Sequence, residues 1–121
     1  MTEFLVGLVE DFPEGGRKVV ACEDAEVGVF KIDGEFYAWH NQCAHRGGPV
    51  CQGRIFPRVE EPIEPDGSVR MLGFSRTEKN IVCPWHGYEF SIKTGRHQGN
   101  SRMRLRQAKL KIIAGEIYVV L

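Results

Sequence analysis

The chain has 121 residues, enough for one hydrophobic core and too few for a separate catalytic domain. Hydrophobic residues make up 42% and charged residues 26%, and the formal net charge is zero, so no global field draws the molecule to nucleic acid or to a membrane surface. No apolar run reaches the ~18 residues of a membrane span, and the opening MTEFLVGLVEDFPEGG lacks the basic and apolar regions of a secretory signal. A soluble, cytoplasmic protein is expected, with no nucleic-acid or membrane partner.

Taken in order, the elements read mostly as strands. Phe4–Val9 is apolar, and Glu14-Gly15-Gly16 marks a turn before a strand at Lys18–Cys22. Val27–Ile32 and Glu35–Trp39 flank Asp33-Gly34, a two-residue hairpin signal because both turn positions tolerate positive φ. A loop-like stretch rich in Gly, Cys, His and Pro follows from Asn41 to Gly53. Residues 54–80 hold three prolines, an acidic patch (Glu60, Glu61, Glu64, Asp66) and the turn Pro65-Asp66-Gly67, and their middle reads as an excursion from the core. A second short loop, Cys83–Gly87, leads into strand-like Tyr88–Ile92 and the turn Lys93-Thr94-Gly95. Arg102–Arg106 alternates as R-M-R-L-R, which suits a half-exposed strand. Ala108–Ile113 and Glu116–Val120 flank Ala114-Gly115 as a last hairpin. The expectation is an all-β, antiparallel domain that presents two loops side by side.

Those loops carry the chemistry. Residues 43–48 read Cys-Ala-His-Arg-Gly-Gly and residues 83–88 read Cys-Pro-Trp-His-Gly-Tyr, so each supplies one thiolate and one imidazole. Glycines at the ligand loops permit positive φ and bring backbone N–H groups close, as donors to sulfur. Without export, four cysteines point to metal or redox chemistry in preference to disulfides. A Cys2His2 zinc site is one reading, although zinc sites usually pair cysteine with cysteine and histidine with histidine, and here each pair is mixed. Cys–His nucleophilic catalysis would leave one loop unexplained. Cys22 and Cys51 read as buried or spectator thiols. His40 and His97 fit neither loop, and Phe30, Phe36 and Trp39 read as core.

The pair C-A-H-R-G-G-P and C-P-W-H-G-Y-E-F resembles the two cluster-binding loops of Rieske iron–sulfur proteins. The resemblance covers most of the chain except 54–80. It implies a Rieske-type β-sandwich or barrel, residues 1–121 as one domain with an insertion at about 54–80, and one [2Fe–2S] cluster per chain. It also implies that Cys43 and Cys83 hold one iron, while His45 and His86 hold the other.

High-potential members of that family join the two loops by a disulfide, whose positions here are Gly48 and Trp85. They also place serine and tyrosine hydroxyl donors where this chain has Tyr88 and Phe90. A potential nearer about −150 mV than +300 mV is therefore expected. The resemblance further implies a one-electron carrier without catalysis of its own, a ferredoxin between a flavin reductase and an oxygenase. The alternative is the Rieske-like small subunit of an NADH-dependent nitrite reductase. A redox sensor in a regulatory protein has no supporting feature. The basic run Arg102, Arg104, Arg106, Lys109, Lys111 is either a partner-orienting surface or a solvated strand face, and Arg46 adds to a positive rim. The excess between the loops, roughly 57–78, is either a partner-binding or lid element or a tolerated surface insertion.

Overall fold

A computed structural model describes residues 2–44, 47–60, 73–85, 87–97, 99 and 102–121. Among the described residues, nine strands order themselves as β1 (Glu3–Leu8), β2 (Arg17–Cys22), β3 (Ala25–Ile32), β4 (Glu35–His40), β5 (Arg54–Glu60), β6 (Gly73–Val82), β7 (Glu89–Ser91), β8 (Lys109–Ile113) and β9 (Glu116–Val120). They form three antiparallel sheets of order β1-β9-β8, β2-β3-β4 and β5-β6-β7. The fold is all-β, as expected. The helical content of the described residues is two 3-10 turns, Val9–Asp11 and Val50–Gln52. Among the described residues no helix is long and apolar enough to cross a membrane.

The middle sheet explains the layering. Along β3, Val27 and Val29 face one side and Phe30 and Ile32 the other, and all four are fully buried. Alternation on a strand with both faces covered yields this near-continuous apolar run. Val27 and Val29 join Val6, Ala38, Ile117 and Val119 in a core shared with the β1-β9-β8 sheet. Phe30, Ile32 and Trp39 join Ile81, Phe90, Ile92, Leu105 and the cysteines Cys43, Cys51 and Cys83 in a second core on the opposite side. Each fully buried Phe or Ile stabilises the layer by about 1.5–3 kcal/mol. The cysteine loops thus rest on a floor made by β3 and β4.

Both predicted hairpin turns form, with Asp33 and Gly34 at φ 52° and 79° and Ala114 and Gly115 at φ 50° and 78°. Glu14 reinforces the first by accepting the N–H groups of Asp33 and Gly34 at 2.7 and 2.8 Å. The β2–β3 turn, where Glu23 adopts φ 58°, carries no glycine or asparagine signal and was not foreseen.

Two stretches differ from expectation. Residues 54–60 and 73–82 are strands that pair with each other from Arg54↔Val82 to Glu60↔Gly73 as a β5–β6 ribbon. Its register slips between Pro57 and Val59, where proline cannot donate to the ladder, and β5 is accordingly the edge strand. The Pro65-Asp66-Gly67 turn lies outside the described residues.

The alternating Arg102–Arg106 stretch is not a continuous strand. It makes isolated bridges, Arg96↔Arg104 on one side, with Trp39↔Gln107 just beyond it on the other. Its alternation nevertheless holds, with Leu105 buried and Arg102, Arg104 and Arg106 exposed. This segment joins the β7 side of the molecule to β4.

Candidate metal centre

The first cysteine loop leaves β4 at His40 and is clamped at both ends. Asn41 donates its N–H to the Glu26 carbonyl at 2.8 Å, and its buried Oδ1 accepts the Cys51 N–H at 2.9 Å. Arg17 reaches from β2 and donates through Nη1 to the Cys51 carbonyl at 3.1 Å and to the Gly53 carbonyl. Sequence reasoning missed both residues. Asn41 had a local signal, since an Asx side chain directly after a strand commonly bonds backbone nearby. Arg17, in sequence, is an ordinary strand charge.

Between these clamps the Cys43 N–H donates to the Gly48 carbonyl at 2.7 Å, and the Gly47 N–H donates back to the Cys43 carbonyl at 2.8 Å. The second loop repeats this frame. The Cys83 N–H donates to the Tyr88 carbonyl at 2.9 Å and the Gly87 N–H to the Cys83 carbonyl at 3.0 Å. In both loops the glycine four residues after the cysteine adopts positive φ, 75° at Gly47 and 71° at Gly87. A side chain there costs about 1–2 kcal/mol. The expected positive φ is therefore present, but these two amides are committed to cysteine carbonyls and not to sulfur.

The two loops meet. A Cβ on Gly48 would stand 2.8 Å from the Trp85 ring and 3.0 Å from Cys83 Sγ. Gly48 and Trp85, the positions matched to the family disulfide, therefore face each other with an indole packed where a bridge would run. Cys43 and Cys83 are 6% and 1% exposed within one core cluster. His45, Arg46 and His86 lie outside the described residues, and among those described no three His, Cys, Asp or Glu side chains gather as a metal site. Two buried cysteines, in matched frames on facing loops, suit the thiolate half of a two-iron cluster.

The remaining thiols and imidazoles sit elsewhere. Cys51 packs on Gly28 of β3 and donates its S–H to the Trp39 carbonyl at 3.3 Å. Burial pushes this thiol up to about 12, so it stays protonated. Cys22 belongs to the other core and is also pushed up by burial. His40 is buried, and desolvation followed by the nearby Arg106 charge lowers its pKa. The His97 ring lies tilted against Tyr88 at 5.1 Å and edge-on to Phe90 at 5.5 Å, and its Nδ1 accepts the Gly99 N–H at 3.1 Å.

Twin cysteine loops on an all-β scaffold offer two thiols to a metal centre. The pattern of the Rieske [2Fe-2S] domain matches residues 2–109, and the chain belongs to that family of cluster-bearing electron-transfer proteins. It is 31% identical over 90 residues to a Rieske domain-containing protein of Homo sapiens, covering 74% of this chain and 46% of that one. The chain thus spans about half the length of this relative. It is 27% identical over 97 residues to the 3-phenylpropionate/cinnamic acid dioxygenase ferredoxin subunit of Photorhabdus laumondii, covering 79% and 71% of the two chains.

Among solved structures, it is similar to a chain from the complex of reduced oxygenase and oxidised ferredoxin in carbazole 1,9a-dioxygenase. That likeness has TM-score 0.68 and 21% identity over 98% of this chain and 92% of the other. A chain assigned as the NADH-dependent nitrite reductase small subunit of Mycobacterium tuberculosis is similar with TM-score 0.67 and 16% identity over 98% and 93%. At these identities the structural likeness shows the fold alone.

Proposed function

We propose that Cys43 and Cys83 ligate one iron and His45 and His86 the other of a single [2Fe–2S] cluster, and that the protein is a ferredoxin passing single electrons from a flavin reductase to an oxygenase. The observation that carries this reading is the repeated frame around Cys43 and Cys83, which sets two buried thiols on facing loops. The cluster, when bound, accepts and releases one electron. The chain's own residues hold the ligand loops rigid, through Asn41, Arg17 and the two positive-φ glycines, and pack them on an apolar floor. The ferredoxin relatives favour the oxygenase system. Residues 1–121 then form one Rieske domain in which the β5–β6 ribbon is the insertion.

The test is the EPR spectrum of dithionite-reduced protein, with iron and zinc measured on the same sample. A rhombic signal with average g below two and two irons per chain is expected. One zinc and no signal would sink the reading. Voltammetry of the same sample should give a potential nearer about −150 mV than +300 mV, because neither the inter-loop disulfide nor a hydroxyl at Phe90 is present to stabilise the reduced state. The likeness to the nitrite reductase small subunit supports a second reading, as a subunit of a larger oxidoreductase. Co-purification with a reductase, or instead with a large catalytic subunit, separates the two.

A further inference from the structure

The segment that follows β7 folds back on itself beside the second cysteine loop. The His97 N–H donates to the Met103 carbonyl at 2.8 Å and the Leu105 N–H to the Gly95 carbonyl at 2.8 Å. Those two bonds flank Arg96↔Arg104, which is therefore the non-hydrogen-bonded pair of this short ladder, the kind in which opposing side chains stand closest. Gly95, His97 and Leu105 turn inward, and Arg96 and Arg104 turn out to solvent. Like charges directly opposite each other destabilise a sheet. Neither arginine has a carboxylate partner among the described residues. Arg102 and Arg106, both exposed, continue the same outward parity. The ladder abuts the second cysteine loop, since the His97 ring packs at a tilt against that of Tyr88, whose carbonyl accepts the Cys83 N–H.

We infer that this arginine ladder is the docking surface for a redox partner that presents a carboxylate-rich protein face next to the second cysteine loop. The inference rests on the cluster reading above. A chain of zero net charge gains no long-range steering from its total charge. A local positive rim beside the cluster supplies it, and an acidic face placed over Arg96 and Arg104 relieves their mutual repulsion.

The probe is the reduced, cluster-loaded protein mixed with hexacyanoferrate(III), which takes one electron from the cluster and becomes hexacyanoferrate(II). The rate is expected to fall roughly tenfold between low and high salt, as for opposite charges. Poly-L-aspartate should slow it further by occupying the rim. In Arg96→Glu/Arg104→Glu the salt dependence should reverse, and the poly-aspartate effect should vanish. Arg104→Glu alone converts the repulsive pair into an attractive one, so its melting temperature should not drop and any slowing cannot be put down to unfolding. A salt dependence unchanged in the double variant would overturn the inference while leaving the cluster intact. Binding to phosphatidylserine vesicles that only the wild type shows, with unchanged electron-transfer rates, would instead assign the arginines to a lipid surface. Absence of the EPR signal would count against the cluster reading, not against the ladder.

Discussion

Gly48 stands where the two cysteine loops touch, with the Trp85 ring on one side and Cys83 Sγ on the other. Gly48→Ala must displace one of them, and the indole, 60% exposed, is the freer. We expect the variant to retain less iron per chain, and Trp85→Ala introduced into it to recover part of the loss. Equal loss in the single and double variants, measured as iron content and EPR amplitude, would show that the two side chains do not couple. Cys51 gives the converse case. Its thiol is protonated and bonded to the Trp39 carbonyl, so Cys51→Ala should leave two irons per chain and an unaltered spectrum. The small cavity should still cost roughly 1 kcal/mol in urea unfolding. Loss of the cluster in this variant would make Cys51 more than a packing residue.

Among the elements, Trp39 of β4 ties the floor to the strand beyond the second loop, its Nε1–H donating to the Ile92 carbonyl at 2.8 Å inside the core. Trp39→Phe keeps the aromatic bulk but leaves that carbonyl without its partner, a loss of about 1–3 kcal/mol. Denaturant titration should show it, and a change below a few tenths would mean water replaces the indole. Elements governed by local chemistry were the ones legible in the sequence. Asp33-Gly34 and Ala114-Gly115 announce their turns because few residues adopt positive φ there. The cysteine loops announce themselves by residue type and spacing. The β5–β6 ribbon did not, since Pro57 and the polar run Ser75–Asn80 depress any strand signal, and only pairing across the ribbon makes these residues strands. Likewise R-M-R-L-R shows its alternation but not that its neighbours are two different segments. Asn41 and Arg17 act through carbonyls distant in sequence, which no spacing rule reveals.

For the whole molecule, His40 sets an expectation for pH. Burial and Arg106 lower its pKa below the ordinary 6.5, so the unfolded chain binds the proton more readily than the native one. Stability is therefore full above the unfolded value and falls as pH drops from there through the native value. Melting temperatures between pH 8 and 5 should decline on the acid side, and His40→Gln should flatten that decline. An unchanged slope would show that other groups control it.

The matching frames around Cys43 and Cys83 also bear on how the holoprotein matures. Each frame closes on itself through its own pair of backbone bonds, one braced by the middle sheet and the other following directly on β6. We expect these backbone bonds around Cys43 and Cys83 to form before any iron arrives. Loading then resembles setting a rivet through two drilled plates more than pouring metal into a mould. The rivet's grip is felt between the plates, so chains emptied of iron should keep slow amide exchange at Gly47 and Gly87 while the seam between the two loops loosens.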